Sequence, residues 1–231
     1  MMPTSDRTSR DLPSVESVLA VCAHPDDESF GLGAVLSAFA ELGARTSVLC
    51  LTHGEASTLG AAIGDLHAIR ELELSSAADA LGVGGVHLLE FGDGRLTDAP
   101  IEDLCAEVRL AVERERADLL LVFDEGGITG HPDHVRATEA ARAVGEEGEL
   151  PVLAWTLAAE VAAQLGDEFP VEFVGRAPEA VHLSIDVDRT RQHQAIGCHV
   201  SQASDNPVLW RRLELQGDRE VLRWLDPAER A

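Results

Sequence analysis

Between Ser17 and Phe123 the sequence repeats one pattern: a short run rich in Val and Leu, a longer stretch with helical spacing of its apolar residues, then another short run. Continuous apolar runs of strand length suit strands covered on both faces, and the helices between them supply the cover. The pattern therefore specifies βα units feeding a mainly parallel sheet. Strands are expected at residues 17–23, 46–52, 86–91 and 118–123, with helices at 30–42, 66–81 and 101–114 between them. Gly43 and Gly82 stand where two of those helices must end, the position at which glycine is favoured. Beyond them the reading gives a helix at 132–144, strands near 152–157 and at 181–186, and a helix around 189–201, with 160–180 less regular. The fold class is thus α/β, a Rossmann-like, mainly parallel sheet flanked by helices on both faces.

No internal repeat, low-complexity tract or linker divides the chain, so residues 15–231 read as a single domain. Residues 1–14 mix Thr, Ser, Asp, Arg and Pro, lack the apolar core and cleavage site of a secretory signal, and are expected to be disordered. The longest apolar runs fall far short of the roughly 20 residues that cross a bilayer, which makes the cytoplasm the expected location. Lys plus Arg number 18 against 41 Asp plus Glu, a net charge of -23. Such a surface repels phosphate backbones and anionic membranes, so neither nucleic acid nor membrane is an expected partner. Cys22, Cys50, Cys105 and Cys198 have no C-x-x-C spacing, against both a disulfide framework and a cysteine zinc knuckle. A nucleophilic Cys198 beside His199 is disfavoured, because adjacent residues usually point apart.

The first strand runs into Ala23-His24-Pro25-Asp26-Asp27-Glu28. Pro25 suits the start of a helix, where its missing N–H costs nothing. His24 and Asp27, three apart, then converge on one side of the opening turn. The fourth strand repeats the device: Asp124 leads through a glycine-rich turn, 126–130, into His131-Pro132-Asp133-His134 at another helix start. In a doubly wound sheet the first and fourth strands are commonly neighbours, and ligands bind beyond their carboxyl ends. One such His-Pro-Asp is ordinarily a capped helix start. Two of them, each after an apolar strand, point to a metal site.

These two motifs resemble those of the LmbE-like family, also called the PIG-L or GlcNAc-phosphatidylinositol deacetylase family. The likeness extends to Thr52-His53-Gly54-Glu55, to Arg70 with Glu73, and to His199-Val200-Ser201-Gln202, covering roughly residues 15–205. It implies a Rossmann-type sheet with zinc held by His24, Asp27 and His134. Two imidazoles and one carboxylate leave open positions, as catalytic sites do; ligand type alone also permits iron(II). The resemblance further implies that Asp26 is the general base toward the attacking water. His131, with Asp133 orienting or charging it, would then stabilise the developing oxyanion and protonate the leaving amine. Glu55, Arg70 and His199 become candidate substrate contacts; on their own they read as ion-pair or packed residues. His53, His67, His87, His182 and His193 take structural readings.

The expected activity is hydrolysis of an N-acetyl group on a GlcNAc-containing small molecule. The alternatives are cleavage of a larger amide, such as a mycothiol S-conjugate, or a non-catalytic metal- or sugar-binding protein. Intact Asp26 and His131 argue against the binder, which has no use for a positioned base. Some relatives carry a tyrosine where this chain has Thr129, and the chain has no tyrosine at all; Gln192 stands where many have lysine. Relatives of this size often assemble, which suggests a homo-oligomer.

Overall fold

In the computed structural model, which describes residues 8–59 and 64–225, each apolar run of the first half becomes a strand. These are β1 (Ser17–Cys22), β2 (Arg45–Thr52), β3 (Gly85–Phe91) and β4 (Leu119–Phe123). The first crossover is two helices, α1 (Asp27–Phe30) and α2 (Gly33–Glu41), where the sequence suggests one over 30–42; the break falls at Gly31 and Leu32. Then come α3 (Leu66–Leu81), α4 (Ile101–Glu115), the single turn α5 (Gly127–Gly130) and α6 (Pro132–Gly148). The second half adds β5 (Val152–Ala158), α7 (Ala159–Glu168), β6 (Gly175–Arg176), β7 (Leu183–Asp186), α8 (Thr190–Cys198), α9 (Val200–Ala203), α10 (Pro207–Gln216) and β8 (Arg219–Trp224).

The sheet order is β3-β2-β1-β4-β5-β8-β7, with β6 paired to the end of β5. Five strands, from β3 to β5, run parallel, and β8 lies antiparallel between β5 and β7. The period of two along β1 divides its side chains between two cores. Val18, Ala20 and Cys22 pack with α2 and α3, through residues such as Phe39 and Leu74. Leu19, Val21 and Ala23 pack with α4 and α6, through Leu104, Val108 and Ala140. All six residues of β1 are buried, as a strand covered on both faces requires. Direct pairing of β1 with β4, with Val18 against Leu119 and Ala20 against Leu121, brings the loops after these strands side by side.

Beyond the divided first crossover, the structure departs from the sequence expectations in three more places. Residues 160–180 begin with a helix, α7, whose Val161, Ala162 and Leu165 are buried; these supply too little periodicity to stand out. The strand β8, Arg-Glu-Val-Leu-Arg-Trp, carries three charges in six residues and so reads as polar. Its Glu220 is nonetheless fully buried, accepting from Trp155 Nε1 at 2.6 Å and from Arg189 at 2.5 Å. The expected disorder over 1–14 falls partly on residues 1–7, outside the described residues. From Thr8 onward the segment is held: Ser9 bridges to Leu183, its N–H donating to His182 O at 2.8 Å and its O accepting from Ser184 N at 2.8 Å. Among the described residues no helix is long and apolar enough to cross a membrane.

Candidate metal centre and active-site cavity

The first half of the site is the turn after β1. The Asp27 carboxylate accepts from the N–H groups of Ala23 and His24 at 3.0 and 2.9 Å through Oδ2, which closes the turn and leaves Oδ1 free to face α6. His134 Nε2 lies 3.1 Å from that Oδ1. The other nitrogen of His134, Nδ1, faces Gly127 O at 3.2 Å, which holds the ring by an outer contact as metal-binding histidines are commonly held. His24 Nδ1 is 3.8 Å from Asp27 Oδ2. His24, His131 and His134 also bring one nitrogen each within 4.8 Å of one another. The two motif turns thus converge as the sequence suggests, and the donors fit a divalent metal: imidazoles and a carboxylate with their outer atoms already bonded. His24, Asp27 and His134 are the residues that would hold it.

Asp26 adopts φ 106°, a conformation that L-residues rarely take. It is fixed from several sides. Its N–H donates to Glu28 Oε2 at 2.9 Å, and its carboxylate meets Arg70 Nη2 at 2.6 Å. Arg70 also donates to Pro25 O and Gly54 O. Gly54 is required there, because it has φ 64° and a Cβ would collide with the guanidinium.

His131 caps α6, its Nδ1 accepting from Asp133 N–H at 3.3 Å. The Asp133 carboxylate, expected to orient His131, goes elsewhere. It accepts from Gly94 N at 2.7 Å and Leu96 N at 3.1 Å, and lies 3.2 Å from His24 Nε2. The fully buried Asp133 therefore anchors the loop after β3 and steadies His24, touching His131 only through the backbone.

The protonation tendencies follow from these contacts. Burial opposes charge on His24, but hydrogen bonds to Asp133 and Asp93 outweigh it and push its pKa up to about 10. Burial raises Asp26 to about 6 even against the pull of Arg70. Asp27 is lowered despite its burial, because His134 stands against it. His131 is lowered, by desolvation first and then by its neighbours His134 and His24; the Asp133 charge acts in the opposite direction.

These groups open onto a cavity of about 550 Å³. Its polar floor includes His24, Asp26, Arg70 and His131, and its wall is aromatic and apolar, with Phe30, Phe123, Trp155, Phe173 and Leu209. Of the expected substrate contacts, Arg70 lines the cavity. His199 does not: it is fully buried, 2.7 Å from Glu28 Oε1, and so supports the acid that accepts from Asp26 N–H. Glu55 is exposed, and its Oε1 accepts from Asp93 N at 3.1 Å, which fastens one loop to another. The structure adds Asp93, which the sequence reading passed over. It lies 3.1 Å from His24 Nε2 and lines the cavity. Its signal was an acid between two glycines just past the end of β3. Thr129 lines the cavity, whereas Gln192 is buried and donates to Ser29 O and Phe30 O as a packing residue.

Residues 19–144 match the family profile described as PIG-L, GlcNAc-PI de-N-acetylase. A probable N-acetylglucosaminyl-phosphatidylinositol de-N-acetylase of Schizosaccharomyces pombe is 34% identical over 134 residues, 55% of this chain and 51% of that protein. A probable N-acetyl-alpha-D-glucosaminyl L-malate deacetylase 2 of Bacillus anthracis is 28% identical over 221 residues, 90% of this chain and 91% of that protein. The match spans about half the length of the first curated relatives. Among solved structures, the 4-carboxy-2-hydroxymuconate hydratase GalB of Pseudomonas putida superposes with a TM-score of 0.68 at 19% identity, over 92% of this chain and 97% of that one. A hydratase on this scaffold means that the fold alone does not specify the reaction.

Proposed function

The chain belongs to the PIG-L family, and from that premise we propose that it is a metal-dependent hydrolase that removes an N-acetyl group from a GlcNAc-containing small molecule. The observation that carries this reading is the joining of the two motif turns: a base candidate, Asp26, stands beside the His24, Asp27 and His134 donors at the floor of one cavity. The Schizosaccharomyces pombe and Bacillus anthracis relatives bear names of enzymes that deacetylate glucosaminyl compounds, which favours this substrate class over a larger amide.

Zinc or iron(II) held there supplies a Lewis acid that polarises the amide carbonyl and brings water toward ionisation near neutral pH. The side chains do the rest. Asp26 is pushed up to about 6, close enough to neutrality to accept a proton from the attacking water and give it up again. Arg70 and Glu28 keep it aimed, the first through its carboxylate and the second through its N–H. His131, neutral in its lowered state, faces the cavity from the opposite turn. Its Nδ1 accepts from Asp133 N–H, so its ring proton sits on Nε2, placed to donate a hydrogen bond to the charge that develops on the carbonyl oxygen. The proton that Asp26 takes from the water is the one given to the departing amine. Thr129, without a phenol, leaves the oxyanion to His131. The aromatic wall packs the sugar or its aglycone and excludes water. The same reading takes residues 15–231 as one domain acting in the cytoplasm.

The test is release of primary amine from a panel of N-acetylglucosaminides by protein stripped with chelator and reloaded with zinc or iron(II). Metal-restored release is expected. A protein that binds metal at His24 and His134 but frees no amine from any member of the panel would overturn the reading.

A further inference from the structure

His53, just past β2, His67, in the first turn of α3, and Glu90, in β3, lie apart in sequence but meet at one point. His53 Nε2 is 3.2 Å from one oxygen of Glu90, and His67 Nε2 is 3.1 Å from the other. The two imidazoles are stacked, with centroids 3.4 Å apart and planes within 9°. One donor atom from each residue falls within a 4.8 Å set. None of the three belongs to the group around His24.

The ring of His53 faces acceptors on both sides. Its Nδ1 points at the carbonyl oxygen of His67, 3.4 Å away, and a carbonyl can only accept. With the proton on Nδ1, the Nε2 lone pair is turned toward the Glu90 carboxylate, which also only accepts. A second ring proton relieves that clash, but it places a cation flat against His67 on a side chain that is 4% exposed. A metal ion between Nε2 and the carboxylate relieves it without the extra proton, and the bond from Nδ1 to a backbone carbonyl is the usual outer support of a metal-binding imidazole. Two nitrogens and a carboxylate oxygen are a zinc-class donor set, with ligand distances of about 2.0–2.2 Å. The 78%-exposed Glu90 side chain is free to close in, and the exposed side leaves room for water to complete the shell.

We propose that His53, His67 and Glu90 form a second metal site that binds one zinc-class divalent ion, separate from the catalytic centre. The site ties the two ends of the connection from β2 to α3, whose residues Ala56, Ser57, Thr58 and Leu59 line the active cavity. Occupancy therefore bears on the wall of the cavity without touching the reacting groups.

The experiment counts metal. Equilibrium dialysis of chelator-stripped protein against zinc, read by elemental analysis, is expected to give two ions per chain. His67→Ala and Glu90→Gln should each give one, with circular dichroism unchanged and the melting of Glu90→Gln in chelator unchanged, since the Glu90 side chain is exposed. His134→Ala should also give one, and the His67→Ala, His134→Ala double variant none. Cobalt(II) in the His134→Ala protein should show the absorption of a low-coordinate nitrogen and oxygen site, lost on adding Glu90→Gln. One ion in the unaltered protein, or two retained in both His67→Ala and Glu90→Gln, overturns the proposal. The count does not depend on amine release, so this site and the proposed activity stand or fall separately.

Discussion

Asp26 carries backbone strain at the very residue proposed as the base, and that strain is open to measurement by comparing Asp26→Gly with Asp26→Ala. Both variants lose the carboxylate, its bond to Arg70 and turnover, so the difference between them isolates the backbone. At φ 106° an L-side chain costs about 1–2 kcal/mol relative to glycine, for which such angles are ordinary. Glycine in turn loses about 0.5–1 kcal/mol through the greater freedom of its unfolded chain. The balance leaves Asp26→Gly more stable than Asp26→Ala by about 1 kcal/mol, the reverse of the usual order. For a chain of 231 residues that is about 2–4 °C in melting temperature. The assay is urea and thermal unfolding in the presence of chelator, because bound metal adds its own stabilisation. Equal stability, or a more stable alanine variant, refutes the argument that Glu28, Arg70 and the following turn hold Asp26 in a strained state for its task.

The same site gives a separation of roles: Asp26→Ala should keep its metal and lose turnover, whereas His134→Ala should lose both, read by dialysis and amine release. Metal loss in Asp26→Ala sinks the base assignment. Glu28→Gln leaves the fully buried His199 facing a neutral amide, and should destabilise the fold by about 3–5 kcal/mol in urea unfolding. A cost under about 1 kcal/mol means the pair is not an ion pair. Asp124 is lowered because Arg176 and Arg223, at 2.5 and 2.9 Å, outweigh its burial. A carboxylate depressed on folding contributes stability that is complete above its unfolded pKa of about 3.9 and is lost as pH falls through the folded value. Asp124→Asn should therefore cost about 3 kcal/mol at pH 7 and progressively less as pH falls below about 4, by denaturation at a series of pH values. A penalty that does not shrink in acid refutes the electrostatic account.

How much was legible depended on how each element is stabilised. β1, β2 and β4 are buried along nearly their whole length, so their apolar runs announced them. β8 could not be read in that way, because its place depends on Glu220 meeting Trp155 and Arg189, residues distant in sequence. At the site, His24 with Asp27 and His131 with His134 were visible because a helix turn sets their spacing. Asp93 was not, since only the approach of the β3 loop to His24 gives it meaning. Asp133 is expected to orient or charge His131, but its carboxylate partners are the N–H groups of Gly94 and Leu96, which no local pattern discloses. His199 was drawn toward the substrate by its motif, whereas the structure uses it one layer back, behind Glu28.

The adjacency of β1 and β4 also governs how the protein comes into being. The ribosome delivers His24 and Asp27 long before His131 and His134, with strands β2 to β4 and helices α2 to α5 between them. Until β4 docks, β1 offers an unpaired edge, a strand open to wrong partners. Insertion of β4 closes that edge and in the same event brings the turn carrying His131 and His134 against the turn carrying His24 and Asp27. A nascent chain stalled before Leu119 has neither the closed edge nor the second turn.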